Sequence, residues 1–244
     1  MSAGKGRLIG VGTGPGDPEL LTLKALKAIG QADVLAHFLK QGREGNARRI
    51  VSPHWPEGAI ELPLAYTVTT EIDRTEPAYR GAISGFFDAS AELIADHLDA
   101  GRTVSVLSEG DPLFYGSYMH IHVRLANRYP TEVVPGVTSL SGCWSAAGLP
   151  LMQGDDVFTV LPGTLDLNEL TRRLGDADAA AIMKVGRNLP KIRQALADAG
   201  KLEGAVYVER GTMDNAAVMP LAQRDDSPAP YFSQVLVPGW AGRP

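Results

Sequence analysis

Three times in the first 148 residues an apolar, β-prone run ends in a glycine-bearing turn and passes into a segment of helical periodicity. "RLIGVG" (7–12) leads to "PELLTLKALKAI", "TVSVLS" (103–108) to "GSYMHIHVRLA", and "TEVVPG" (131–136) to "SLSGCWSAAG". Strands that alternate with helices pair through crossovers, so the pattern predicts an α/β fold with a mainly parallel sheet. In such a sheet the three loops leave the carboxyl ends of their strands and share one edge, where open α/β sheets bind ligands. A further run, "DVLAHFL" (33–39), and an amphipathic helix over 77–100, stopped by Gly101, fit the same layout.

"AAGLPLMQGDD" (146–156) brings a glycine at a helix end, a proline and a polar turn. It predicts an N-terminal α/β domain over 1–148 and a second α/β domain over 155–244. The second domain reads as "VFTVLPG", a helix at "LNELTRRLG", "AAAIMKVG", a helix at "LPKIRQALADAG", then "AVYVERG", "AAVMPLA" and "YFSQVLVPG". Its last strands follow one another without helices between them, so its sheet is predicted to be mixed.

Composition narrows the functional classes. With 244 residues, 44% apolar and 21% charged, the chain has the make-up of an ordinary globular protein with one large or two modest domains. The N-terminus turns glycine-rich before an apolar stretch develops, and no apolar run approaches the roughly 20 residues of a membrane-spanning helix. The expectation is a cytoplasmic protein without a membrane partner. Cys143 is the single cysteine and has no internal disulfide partner; a buried packing thiol is its simplest reading. A net charge of -5 argues against general nucleic-acid affinity. His120 and His122 stand two apart on a predicted helix, about 200° around its axis, so they cannot share an ion and no metal is expected.

The loop "VGTGPGDPELL" resembles two phosphate cradles and matches neither. A dinucleotide fingerprint needs glycine at the first, third and sixth positions. Counting from Gly10 the sixth is Pro15, and from Gly12 it is Asp17. A P-loop needs Gly-Lys-Ser/Thr, and the only nearby lysine, Lys24, lies inside the predicted helix. Asp17 reads as an N-cap with Pro18 at the first helical position. The carboxylates of Asp17 and Glu19 disfavour phosphate at this helix start, leaving a neutral or cationic ligand or a plain tight turn. The second loop carries Glu109-Gly110-Asp111-Pro112 and the third Gly136, with Thr138 as the expected cap. None of the three turns carries lysine or arginine, which suits a positively charged group.

"VGTGPGDPELLTLKA", "SEGDPLFYGS" and "PGVTS", in that order and at these separations, resemble the tetrapyrrole (corrin/porphyrin) methylase family. "EGDPLFYGSYMHIHVRL" is most similar to the precorrin-2 C-20 methyltransferases of cobalamin synthesis, and Glu109 favours them because other members carry glycine or serine there. The likeness continues through "IMKVGRN" and "VYVERGT". It implies two α/β domains with S-adenosylmethionine folded in a cleft between them. The implied reaction is methylation of precorrin-2 at C-20, giving precorrin-3A in vitamin B12 biosynthesis, by a homodimer. Neighbouring readings are the anaerobic enzyme acting on the cobalt-loaded tetrapyrrole, or a member methylating another carbon. A reading of a different class is a non-catalytic module that binds S-adenosylmethionine.

Carried over by motif, Pro15 lines the cleft and Gly110 and Asp111 approach the methionine end of the cofactor. Tyr115, Gly116 and Ser117 follow it, Thr138 and Ser139 contact it, and Met183 and Gly211 close over the adenine. Methyl transfer to carbon is an in-line displacement in which alignment alone is worth about 7 to 11 kcal/mol of barrier. No nucleophilic residue is needed, and Ser139 and Ser141 read as cap and helix residues. A base could be Glu109, Asp111 or a carboxylate of the substrate. Precorrin-2 is strongly anionic, so the resemblance also requires local cations. Arg43, Arg48 and Arg49, in the loop after the second strand, and Lys184, Arg187 and Arg210 are the candidates, each of which could equally be solvated surface. The polar stretch 66–77 reads as a flap over the substrate or as a surface loop.

Overall fold

The computed structural model describes residues 4–66 and 77–239, the side chains of 77–80 excepted. The stretch considered as a flap falls, apart from its ends, outside the described residues. The chain divides into two compact units, Met1–Thr138 and Ser139–Pro244.

The first unit holds β1 (Arg7–Gly12), α1 (Leu23–Gly30), β2 (Val34–Lys40), α2 (Asn46–Val51), β3 (Ile60–Tyr66), α3 (Pro77–Asp99), β4 (Thr103–Ser108), α4 (Tyr118–Leu125) and β5 (Thr131–Val134). The strand order is β3-β2-β4-β1-β5, and every pair is parallel. Successive residues of a strand face opposite sides, so a sheet covered on both faces needs unbroken apolar strands. Leu8, Val34, Val104 and Val106 pack under α3 and α4 with Phe87, Ile94, Leu98, Ile121 and Leu125. Their neighbours Ile9, Val11, Leu35 and Leu107 pack under α1 and α2 with Ala25, Ile29, Ile50 and Val51. Pro63 sits in β3, at the sheet's edge, where a missing N–H is tolerated.

Two local readings are corrected here. The helix expected from Pro18 to Ile29 is broken: Pro18–Leu20 form one 3₁₀ turn, Leu21 is extended, and α1 starts at Leu23. Asp17 caps only the short turn, accepting from the Glu19 N–H at 2.8 Å. Thr22 caps the helix itself, its Oγ1 accepting from the Ala25 N–H at 3.0 Å. Turning out of the helical conformation at Leu21 places that side chain in the core. The segment after β2 is also more than a loop, because Arg48 and Arg49 lie in α2 and only Arg43 precedes it. Six residues are too few for helical periodicity to show in a sequence.

The second unit holds α5 (Ser139–Ala146), β6 (Phe158–Pro162), α6 (Leu167–Asp176), β7 (Ala179–Met183), α7 (Leu189–Asp198), β8 (Val206–Glu209), β9 (Ala217–Pro220) and β10 (Ser233–Val237). Its sheet, β6-β7-β10-β8-β9, pairs β6 with β7 in parallel and is otherwise antiparallel, a mixed sheet as expected. The division falls before α5, ten residues ahead of the expected boundary at 148. Gln234 donates to Ser139 Oγ at 2.8 Å, and Gly211 lies so close to Cys143 that a Cβ there would stand 2.9 Å from its Cα and Sγ. These contacts bind α5 to the second sheet, and the glycine–proline signal near 148 marks only the end of that helix.

Thr22→Ala should lower the unfolding free energy by about 1 kcal/mol, and Asp17→Ala, which frees a single turn, by less. Urea titrations of the two variants read the difference.

Candidate active site

At the carboxyl edge of the parallel sheet the loops after β1, β4 and β5 touch backbone to backbone. A Cβ on Gly12 would stand 2.5 Å from the Gly136 nitrogen and 2.8 Å from the Gly110 oxygen, and one on Gly136 would collide with that same oxygen. Gly14 and Gly110 form a β-bridge, with N–H to O distances of 3.3 and 2.8 Å. Thr13, fully buried, donates twice to the Ser108 carbonyl, from N–H at 2.9 Å and from Oγ1 at 3.1 Å. Asp111 completes the join: Oδ1 accepts from the Leu113 N–H at 2.9 Å and Oδ2 from the Gly136 N–H at 3.1 Å. Half-buried Pro15 stands on the first of these loops, beside Gly14.

The second loop is held hard. A Cβ on Gly116 would lie 2.8 Å from Ser108 Oγ and 2.9 Å from the Pro112 oxygen. Ser117 Oγ hydrogen-bonds the Tyr66 hydroxyl. Tyr115 between them is left-handed, φ +55°, and its ring is 47% exposed. Among the described residues the non-glycine positions with positive φ are Tyr115, Lys184 and Arg210. All three were singled out from the sequence, and such conformations cost roughly 1 kcal/mol or more each.

Charge is segregated. Loops 13–19, 109–117 and 135–138 contain no lysine or arginine, and they carry Asp17, Glu19, Glu109 and Asp111. The Glu109 carboxylate is turned toward α2, where the Asn46 side chain and the Ala47 N–H donate to it; burial holds its pKa above the usual carboxylate value against these bonds and the Arg49 charge. Arg48 is held by its neighbours, its guanidinium 3.9 Å over the Trp55 ring and its Nε 2.9 Å from Glu61 Oε1. That same oxygen lies 3.0 Å from Nε2 of buried His37, whose Nδ1 has no partner. Arg49 is exposed and donates to Asn46 Oδ1 at 3.0 Å; Arg43 is exposed on the turn after β2.

In the second unit β6, β7 and β8 run the same way, since β10 is antiparallel to both β7 and β8. Met183, Lys184 and Arg187 after β7, and Arg210 and Gly211 after β8, therefore emerge at one sheet edge. Lys184 and Arg187 are exposed, while Arg210 pairs with Glu209, which also accepts from the Tyr207 hydroxyl at 2.9 Å. Ser139 Oγ accepts from Gln234, and Thr138 immediately precedes α5. Cys143 is buried and its thiol is pushed up to about 11 by desolvation. His120 stacks on Phe87 at 4.0 Å while His122 lies 3.3 Å from the Tyr118 hydroxyl. Among the described residues no group of three or more His, Cys, Asp or Glu could hold a metal ion, and no helix is long and apolar enough to cross a membrane.

Thr13, Asn46, Tyr66 and Ser108 were not singled out by the sequence. Each acts through a partner distant in the chain, and nothing in its local pattern marks it.

The family model "Tetrapyrrole (Corrin/Porphyrin) Methylases" matches residues 7–223. The chain belongs to this family. It is 68% identical to the precorrin-2 C(20)-methyltransferase of a Sinorhizobium species, over 99% of this chain and 98% of that protein. It is 50% identical to the cobalamin biosynthesis protein CobIJ of Mycobacterium bovis, of which it spans 47%, and 28% identical to the cobalt-precorrin-2 C(20)-methyltransferase of Salmonella typhimurium, over 95% and 96% of the two chains. Among solved structures of tetrapyrrole methylases, the cobalt precorrin-4 methyltransferase CbiF superposes with a TM-score of 0.71 at 23% identity over 98% and 96% of the chains, a likeness of fold. The uroporphyrin-III C-methyltransferase of Thermus thermophilus complexed with S-adenosylhomocysteine gives 0.65 at 25% identity over 95% and 97%.

Gly136→Ala should destabilise this methylase by about 3 kcal/mol or more, because the clashing atoms are backbone. Gly30→Ala, at a helix end with nothing within 4 Å of a Cβ, is the control and should be neutral or slightly stabilising in urea. His37 titrates below its ordinary value because burial disfavours the imidazolium more strongly than Glu61 favours it. The unfolded chain therefore takes up this proton first, and its contribution to stability is lost as pH falls from about 6.5 toward the folded-state value. Urea titrations at pH 7 and pH 5 should show a smaller drop for His37→Gln than for the wild type.

Proposed function

We propose that this chain transfers a methyl group from S-adenosylmethionine to C-20 of precorrin-2, giving precorrin-3A in cobalamin biosynthesis. End-to-end identity of 68% with a precorrin-2 C(20)-methyltransferase carries the reading, and the lower 28% with the cobalt-precorrin-2 enzyme favours the metal-free substrate. A cytoplasmic homodimer completes it, on the family resemblance.

The loops fit the cofactor. Their turns bear carboxylates and no cation, which attracts a sulfonium, and their glycines leave backbone where side chains would stand. Bound there, S-adenosylmethionine supplies an electrophilic methyl group. Pro15, Gly110, Asp111, Tyr115, Gly116, Ser117 and Thr138 would hold it from the first unit, and Ser139, Met183 and Gly211 from the second. Asp111 fixes two loops through its two oxygens and so sets the direction of the donor's approach. The backbone strain at Tyr115, Lys184 and Arg210 keeps three contact residues in one conformation each. Arg43, Arg49, Lys184, Arg187 and Arg210 would engage the substrate carboxylates, while Arg48 supports α2 through Trp55 and Glu61.

Purified protein incubated with methyl-labelled donor should label precorrin-2 at a single carbon, assigned to C-20 by NMR. Transfer only to the cobalt complex would reassign the substrate, and donor binding without transfer would replace the enzyme with a binding module. Asp111→Ala should lower kcat/KM by about tenfold or more, since each buried N–H left unpaired costs about 1 to 3 kcal/mol.

A further inference from the structure

Glu109 and Asp111 were the side chains considered as a base on the second loop, and the structure engages Glu109 in another way. Its carboxylate receives hydrogen bonds from the Asn46 side chain and the Ala47 N–H. Gly45, at the N-cap of α2, has no side chain to cap the helix, so this satisfaction comes from a loop more than sixty residues further along the chain. A carboxylate can only accept, so the Asn46 group facing it is the amide nitrogen, and Oδ1 is turned the other way. There it accepts from Arg49 at 3.0 Å. One planar amide thus links an acid on one loop to an exposed guanidinium on α2, and the acid dictates which end of the amide the arginine meets.

The two arginines of α2 differ accordingly. Arg48 lies on Trp55 and is bonded to Glu61. Arg49 forms no ion pair among the described residues, and its one described hydrogen bond leaves donors of the fork for a planar carboxylate, which an oriented guanidinium binds in two-point fashion. We propose that Glu109 is a positioning residue that, through Asn46, orients Arg49 as a clamp for a carboxylate of the tetrapyrrole substrate. The proposal rests on the reading of this chain as a precorrin-2 methyltransferase. Proton removal from the substrate is then no task of Glu109.

Steady-state kinetics on wild type, Glu109→Ala, Glu109→Gln, Asn46→Ala, Arg49→Ala and the Glu109→Ala/Arg49→Ala double variant test it. Calorimetric binding of S-adenosylhomocysteine is measured alongside. A wild type that fails to methylate precorrin-2 overturns the functional reading rather than the positioning role. With an active wild type, Glu109→Ala and Arg49→Ala should each raise KM for precorrin-2 about tenfold with kcat changed less than about threefold, and the double variant should be no worse than either. Donor binding should stay within about twofold of wild type. Glu109→Gln, whose amide oxygen still accepts from Asn46, should recover most of the lost affinity. Should Glu109→Ala fail to fold, Asn46→Ala carries the same expectation, because it removes the link and leaves both ends. A loss of kcat of about a hundredfold in Glu109→Gln at unchanged KM, with the acid limb of the pH profile gone, would make Glu109 the base and overturn the proposal. Wild-type KM in Arg49→Ala, or additive effects in the double variant, would overturn it as well.

Discussion

The first unit is organised around a place where three backbones meet with no side chain between them. Gly12, Gly110 and Gly136 approach so closely that the peptide groups themselves set the spacing of the loops after β1, β4 and β5. Hydrogen bonds across the join, from Gly14 to Gly110 and from Thr13 to Ser108, make the loops one body. Asp111 closes it from the side. The result is a rigid floor at the carboxyl edge of a parallel sheet, built from amides and carbonyls. Such a floor is suited to a small ligand that must be held at an angle fixed to within a few degrees, which is what an in-line displacement requires.

Rigidity elsewhere is used sparingly and at positions that matter. Tyr115, Lys184 and Arg210 each occupy a backbone conformation that residues with a Cβ rarely adopt. Tyr115 is trapped between Asp111, whose carboxylate fixes the turn before it, and Gly116, which is clamped against Ser108 and Pro112. Arg210 is fixed by its N–H to the Phe232 carbonyl at 2.8 Å and by its ion pair with Glu209. The surroundings over-determine these residues, so their side chains start from directions that an ordinary loop would not supply.

What could be read from the sequence follows the range of the forces involved. The parallel sheet was legible because burial on both faces demands continuous apolar runs, and "RLIGVG" and "TVSVLS" carry that demand locally. The absence of phosphate chemistry was legible from the spacing of Gly10, Gly12 and Pro15. Helix α2 was not, since six residues carry too little periodicity and its stabilisation arrives from Glu109, Trp55 and Glu61 rather than from its own composition. The start of α1 was misplaced because Pro18 and Asp17 give a genuine helix-start signal that is used up within one turn, leaving Thr22 to begin the real helix. The unit division was missed for a similar reason: a chain-end signal at Gly148 is visible locally, whereas the bond from Gln234 to Ser139 spans 95 residues.

A net charge of -5 and an anionic substrate are reconciled by where cations are neutralised. On the α3–α4 surface, Arg124 pairs with Asp88 at 2.7 Å and Arg128 with Glu92 at 3.0 Å. At the other end of the sheet, near the start of β1 and β5, Glu132 receives both Arg7 and Lys24. These exposed pairs add little stability, but they cancel charge on surfaces remote from the glycine loops. Where the chain leaves β2 the pattern changes: Arg48 is matched by Glu61, and Arg43 and Arg49 have no carboxylate partner among the described residues. Within about two Debye lengths of the edge, the field an approaching polyanion meets is set by those unmatched charges rather than by the net count. A carboxylate-bearing macrocycle is thereby drawn to α2, while the carboxylates of the neighbouring turns repel it and attract a sulfonium, so one sheet edge can sort two oppositely charged reactants onto adjacent loops.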